Sequence, residues 1–148
     1  MEIQTVSWHE DKLWEKVAAC AAGCSWQPTG RFLSDRMRSH DFSDWERVFA
    51  ACEGDSIAGF CALSKTSSAF GELYAPYIGF VFVGEAYRGR RISGDLCASA
   101  LRYAKAAGFS AVYLYSELVD FYEKYGFVKI DERESPWGVR QSIYRHTT

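Results

Sequence analysis

The chain has 148 residues, 48% of them apolar and 24% charged, with a formal net charge of −2. That is enough chain for one domain with its own core, and the charge balance excludes the basic excess of a nucleic-acid reader. No signal peptide and no bilayer-length apolar run is present, so a cytoplasmic protein that does not engage membranes is expected.

In chain order, Ile3 to Ser7 alternates as an edge or near-edge strand does. From His9 to Ala22, residues Leu13, Trp14, Val17, Ala18 and Ala21 form one helical stripe. Gly23 to Gly30 breaks that period with Gly, Ser and Pro and reads as a loop. Arg31 to His40 reads as a short helix whose marked face carries Phe32, Leu33, Arg36 and Met37. Trp45 to Cys52 and Ile57 to Thr66 are strand-like, and Glu53-Gly54-Asp55-Ser56 between them is hairpin-turn chemistry. A polar connection from Ser67 to Ala75 leads into the continuous apolar run Tyr77 to Val83, which suits a strand buried on both faces. Gly79 inside it marks either a bend or close packing against a neighbour.

A glycine-bearing turn follows. Leu96, Cys97, Ala100, Leu101, Ala104 and Ala107 then recur at helical spacing, with Ser93 placed to cap the start and Gly108 to end the helix. Ala111 to Tyr115 is a short strand, Leu118 to Tyr125 a helix stopped by Gly126, and Phe127 to Ile130 and Gln141 to Tyr144 the last strands. Ser135-Pro136-Trp137-Gly138 turns the chain between those two. The order is α+β, with about seven strands and four helices in a single domain spanning 1–148. Cys20, Cys24, Cys52, Cys61 and Cys97 are odd in number and lie in apolar context without C-x-x-C spacing. They read as reduced core residues, and no metal is expected.

The turn between Val83 and the following helix carries the chemistry. The first amides of that helix point back into it, Gly89 and Gly94 add backbone freedom, and Arg88, Arg90 and Arg91 add three positive charges. Main-chain donors, helix dipole and guanidinium groups together suit a phosphate. The alternative is a solvated turn whose arginines face water. Neither G-x-x-x-x-G-K-[ST] nor G-x-G-x-x-G is present.

The segment FVGEAYRGRRISGDL resembles the acetyl-coenzyme A loop of the GNAT superfamily of N-acetyltransferases, with Val83, Tyr87, Arg88, Gly89 and Ile92 matching. Arg91 stands where that family usually has glycine, and Ser93 where it has glycine or alanine. At a positive φ, arginine would cost on the order of 1 kcal/mol. A second segment, Asp120-Phe121-Tyr122-Glu123-Lys124-Tyr125-Gly126-Phe127, resembles the family's Phe-Tyr-Glu-Lys-x-Gly-Phe.

The resemblance covers roughly residues 45 to 130. It implies α/β/α layers with a mixed central sheet splayed at the cofactor site. It also implies direct transfer of acetyl from acetyl-coenzyme A to a primary amine of a small molecule or peptide. Pantetheine would pair with the main chain of Phe82 and Val83. The diphosphate would lie on Arg88, Gly89, Arg90, Arg91, Ile92, Ser93 and Gly94. An amide of the same strand would face the thioester oxygen. Tyr122 occupies the position of the family's general-acid tyrosine, and its other reading is a core tyrosine.

The attacking amine must lose a proton, directly or through water, and Glu72 is the first candidate base, ahead of Glu117 and Glu85. Trp26, Phe32, Tyr74 and Tyr77 are expected as acceptor-pocket walls, and Asp35, Asp41 and Glu72 among them would suit a cation. Acetylation of protein N-termini or lysines is a second enzyme reading, and a noncatalytic acyl-coenzyme A sensor a reading from another class. By analogy with the family, a homodimer is one expected assembly.

Overall fold

The computed structural model describes residues 1–9, 11–65, 67 and 70–148, the side chain of Asp11 aside. Gly54, at φ +59°, turns the hairpin between β2 (Arg47–Glu53) and β3 (Ser56–Ser64). β1 (Glu2–Val6) pairs antiparallel with β2, and β4 (Tyr77–Val83) with β3. β5 (Ala111–Ser116), β6 (Val128–Glu134) and β7 (Arg140–Thr147) complete one mixed sheet of order β1-β2-β3-β4-β5-β7-β6.

Helices α1 (Asp11–Gly23) and α2 (Thr29–Arg38) cover one face, and α3 (Ile92–Ala106) covers the other. The period-2 geometry of strands divides the central residues between two cores. Val48, Ala50, Phe60 and Ala62 meet α1 and α2, while Phe49, Ala51, Cys61 and Leu63 meet α3. This mixed seven-stranded sheet, with its α/β/α layering, is the architecture expected above. No helix among the described residues is long and apolar enough to cross a membrane.

The structure corrects the helix count. Among the described residues three α-helices form instead of four, because Leu118 to Tyr122 does not coil and only Glu123–Tyr125 makes a single 3-10 turn there. Asp120 takes φ +56°, Ser116 Oγ accepts the Leu118 amide at 3.0 Å, and Leu118 and Val119 are exposed. Gly126 still ends the turn, at φ +93°. β6 runs to Glu134, past the predicted Ile130, since a polar edge strand pairing only with β7 needs no buried face.

Both readings of Gly79 meet in β4. A Cβ on Gly79 would lie 2.7 Å from the Tyr77 ring, so the glycine admits that ring. The bend sits one residue on. Gly79 to Phe82 spans three residues where Ala62 to Phe60 spans two, and Phe80 is left-handed at φ +54°. That is a β-bulge, and it turns the strand at the point where the cleft opens.

A buried ion pair fastens α2 to the start of β2. Arg36 lies 2.6 Å from Glu46, with side-chain exposures of 18% and 7%. Arg36 also donates to Ser64 Oγ at 2.8 Å and to the Asp41 carbonyl at 3.0 Å. Glu46 accepts the amides of Ser43 and Lys65 at 2.8 and 2.9 Å.

Candidate active site

β4 and β5 are parallel neighbours, yet they share one paired position, Tyr77 with Tyr113, where the Tyr113 amide donates to the Pro76 carbonyl at 2.9 Å. Beyond it the strands diverge. Ile78 to Val83 and Leu114 to Leu118 become opposite walls of a cleft of about 1690 Å³. The main chain along the β4 side therefore faces the cleft instead of a ladder partner.

At one end the chain leaves β4, makes the 3-10 turn Glu85–Tyr87 and enters α3. Arg91, not Ser93, is the residue before the helix, at φ +57°, and it makes no side-chain capping bond. The start of α3 is thus open to a ligand. Gly89 is left-handed at φ +83° with nothing within 4 Å of where a Cβ would stand. Arg88 donates to the Val83 carbonyl at 3.1 Å and lies 3.6 Å from Glu85, which accepts a bond from the Ser25 hydroxyl. That hydroxyl, foremost, holds the Glu85 carboxyl below its ordinary range.

Seven of the nine predicted cofactor residues line the cleft: Phe82, Val83, Arg88, Gly89, Arg91, Ile92 and Ser93. Arg90 and Gly94 do not. Arg90 turns to Glu53 at 3.0 Å and ties the turn to the β2–β3 hairpin. A Cβ on Gly94 would stand 2.4 Å from the Tyr125 ring, so this glycine is needed for packing and not for backbone freedom.

Arg91→Gly removes the left-handed strain, a gain of about 1 kcal/mol. We expect its thermal midpoint to rise by about 2–4 °C. A scan showing the same or a lower midpoint would contradict this account of residue 91.

Tyr122 forms part of the cleft wall and is 6% exposed. The rings of Phe121, Phe127 and Tyr144 lie 4.8, 6.0 and 6.2 Å away, and Cys61 and Cys97 share its core. Burial pushes the phenol well above its usual range, with smaller contributions from the two thiols. The group therefore keeps its proton at neutral pH.

The expected base, Glu72, does not reach the cleft. Its side chain is 63% exposed, lies 3.8 Å from Lys65, and borders a neighbouring depression with His40 and Ser43 that shares Arg36 and Asp41 with the cleft. The carboxylates on the cleft are Asp41, Glu85 and Glu117, whereas Asp35 is absent from its lining.

Trp26, Phe32 and Tyr77 line the cleft as expected. Trp26 stacks on Phe82 with centroids 6.3 Å apart, and Tyr77 on Tyr115 at 5.7 Å. Tyr74 does not. Its hydroxyl donates to Asp131 on β6, and that bond leads the causes that hold the Asp131 carboxyl down at about 2. The polar Ser67–Tyr77 connection thus divides, with Ser67 on the cleft and Tyr74 clamped to the far strands.

Sequence reasoning missed Tyr115, Lys124, Tyr125, Trp137 and Gln141, all of which line the cleft. Lys124 and Tyr125 lay inside the recognised second segment and could have been found there. Trp137 and Gln141 reach the cleft only through the pairing of β7 between β5 and β6.

Among known proteins, the sequence model of the acetyltransferase (GNAT) family matches residues 9–127. The aminoglycoside 6′-N-acetyltransferase of Enterococcus faecium superposes with a TM-score of 0.76 at 15% identity, over 99% of this chain and 97% of that one. An aminoglycoside 6′-N-acetyltransferase complexed with coenzyme A gives 0.76 at 14% identity over 99% and 97%. Mutant forms of the spermidine/spermine N-acetyltransferase SpeG from Vibrio cholerae give 0.66 at 12% over 99% and 93%. At such identities the likeness is one of fold. No curated protein matches the chain.

Proposed function

Because the chain belongs to the GNAT acetyltransferase family, we propose that it transfers acetyl from acetyl-coenzyme A to a primary amine of a small molecule or peptide. The whole chain serves as one catalytic domain, and the amine attacks directly. The observation that carries this reading is the opening between β4 and β5 with a protonated, buried tyrosine on its wall. Solved structures of the same fold bear the names of aminoglycoside and spermidine/spermine N-acetyltransferases, and those acceptors are small amines. One of them is complexed with coenzyme A.

The residues fit such a cosubstrate. An uncapped helix start, a left-handed glycine with open space beside it and Arg88 at the same rim suit a diphosphate. The main chain of Phe82 and Val83, on the diverging strand, suits the amides of a pantetheine arm. When bound, acetyl-coenzyme A supplies an activated thioester. In this reading Tyr122 holds the proton that the departing sulfur takes. Arg90 acts through the fold, by anchoring the turn.

Glu117 replaces Glu72 as the base, because it stands on the cleft wall just beyond β5. It takes the proton from the ammonium group, directly or through one water. Glu117→Gln should lower turnover at pH 7 by about tenfold or more and recover as pH approaches the pKa of the amine, where the free base is abundant without help. A pH-independent loss would assign Glu117 to binding alone.

Thiol release from acetyl-coenzyme A, followed across a panel of polyamines, aminoglycosides and peptides, tests the function. Release with a small amine is the expected result. Tight coenzyme binding without release from any member of the panel would favour the noncatalytic sensor. Release confined to protein substrates would favour modification of N-termini or lysines.

A further inference from the structure

The three arginines of the turn do not share one fate. Arg88 lies 3.6 Å from Glu85 and Arg90 lies 3.0 Å from Glu53. Arg91 has no carboxylate within ion-pair distance among the described residues, and neither does Lys124. Instead both settle on one ring. The Arg91 guanidinium carbon is 5.2 Å from the centre of Tyr125, and Lys124 Nζ is 5.2 Å from the same centre and 4.4 Å from that of Phe121. The Tyr125 hydroxyl lies 3.3 Å from the hydroxyl of Ser93 in the first turn of α3. All five residues line the cleft.

Two cations held on one ring without a counter-charge are an unbalanced charge. An aromatic face compensates only in part at an exposed site. Neither cation has a counter-charge among the described residues, and two positive charges match one dianion. A phosphomonoester carries nearly two negative charges and three acceptor oxygens. A diphosphate spreads its charge along a chain and is already served by the helix start and Arg88. Arg91, left-handed at the start of α3, carries its side chain to the Tyr125 ring.

We propose that Arg91 and Lys124, docked on Tyr125, form a phosphomonoester subsite that reads the ribose 3′-phosphate of coenzyme A. This rests on the coenzyme reading above and adds a specificity to it. The chain then discriminates coenzyme A from its 3′-dephospho form by charge, and the discrimination weakens as salt rises.

The test is calorimetric titration of the full chain with acetyl-coenzyme A and with 3′-dephospho-acetyl-coenzyme A. The wild type should prefer the phosphorylated form by about a hundredfold, roughly tenfold for each charge-assisted contact. Arg91→Gly and Lys124→Ala should each remove about tenfold of that preference, and the double variant all of it. Affinity for the dephospho form should stay within about twofold throughout. Adenosine 3′,5′-bisphosphate should compete better than adenosine 5′-phosphate with the wild type and no better with the double variant. Melting curves confirm that each variant is folded, and glycine suits the backbone at residue 91.

Equal wild-type affinity for the two thioesters would overturn the subsite, and so would equal weakening of both by the substitutions. Binding of neither by the wild type would overturn the coenzyme reading itself and the subsite with it.

Discussion

Replacing Tyr122 by phenylalanine will lower turnover by about a hundredfold or more while the affinity for acetyl-coenzyme A changes by no more than about twofold. The ring is locked among Phe121, Phe127 and Tyr144, so the substitution keeps its shape and removes one oxygen and one proton. Burial holds the phenol protonated well past neutral pH. Without it the sulfur leaves as an unprotonated thiolate in a cleft with an apolar wall, which is the difficult part of the step. Rapid-quench turnover and calorimetry on the same preparation separate the two effects. Unchanged turnover would return Tyr122 to the core tyrosines. Equal losses in binding and turnover would make it a positioning residue.

Glu46→Gln will destabilise the fold by about 3–5 kcal/mol, because it removes the one carboxylate paired with Arg36 and leaves an uncompensated charge beneath α2 that only the Ser64 hydroxyl and the Asp41 carbonyl still hold. Urea denaturation measures it, and a loss under about 1 kcal/mol would show the pair to be as weak as a surface bridge.

The pair also sets an acid limb. Burial alone would raise the Glu46 carboxyl, but the Ser43 and Lys65 amides and then Arg36 outweigh it and bring the group below its ordinary value. A depressed carboxyl contributes stability that is complete above its unfolded pKa, about 4.3, and is lost as pH falls through the lower folded value. The glutamine variant should lack that part of the acid slope. Arg36 and Asp41 both line the cleft, so the same variant should also raise the apparent KM for the amine.

Where one physical rule acts on neighbouring residues, the sequence was easy to read. The alternation in β2 and β3, the Gly54 hairpin and the α3 stripe all follow from local periodicity and backbone preference. The turn from Arg88 to Ser93 was legible for the same reason, since a strand, a glycine and a helix start are contiguous. Reading failed where the partner is distant. Leu118 to Tyr122 has helical composition, but Asp120 turns left-handed and Leu118 and Val119 stay exposed. Gly94 looked like a flexible hinge and is a slot for the Tyr125 ring, 31 residues away in sequence. Glu72 was nominated because it precedes the central strand, yet the connection swings it to Lys65.

By itself the sequence determined the family, the order of the strands along the chain, the glycine-bearing turn between β4 and α3 and the segment that carries Tyr122. These are recorded in spacing and in two short contiguous segments, where each residue constrains the next. Only the tertiary structure decided which charges are free. Arg90 and Arg91 are adjacent in the chain, and one is spent on Glu53 while the other rests on Tyr125. It also decided which acids see the cleft, because a carboxylate acts on what lies within a few ångströms and the chain order of Glu72 and Glu117 says nothing of that distance.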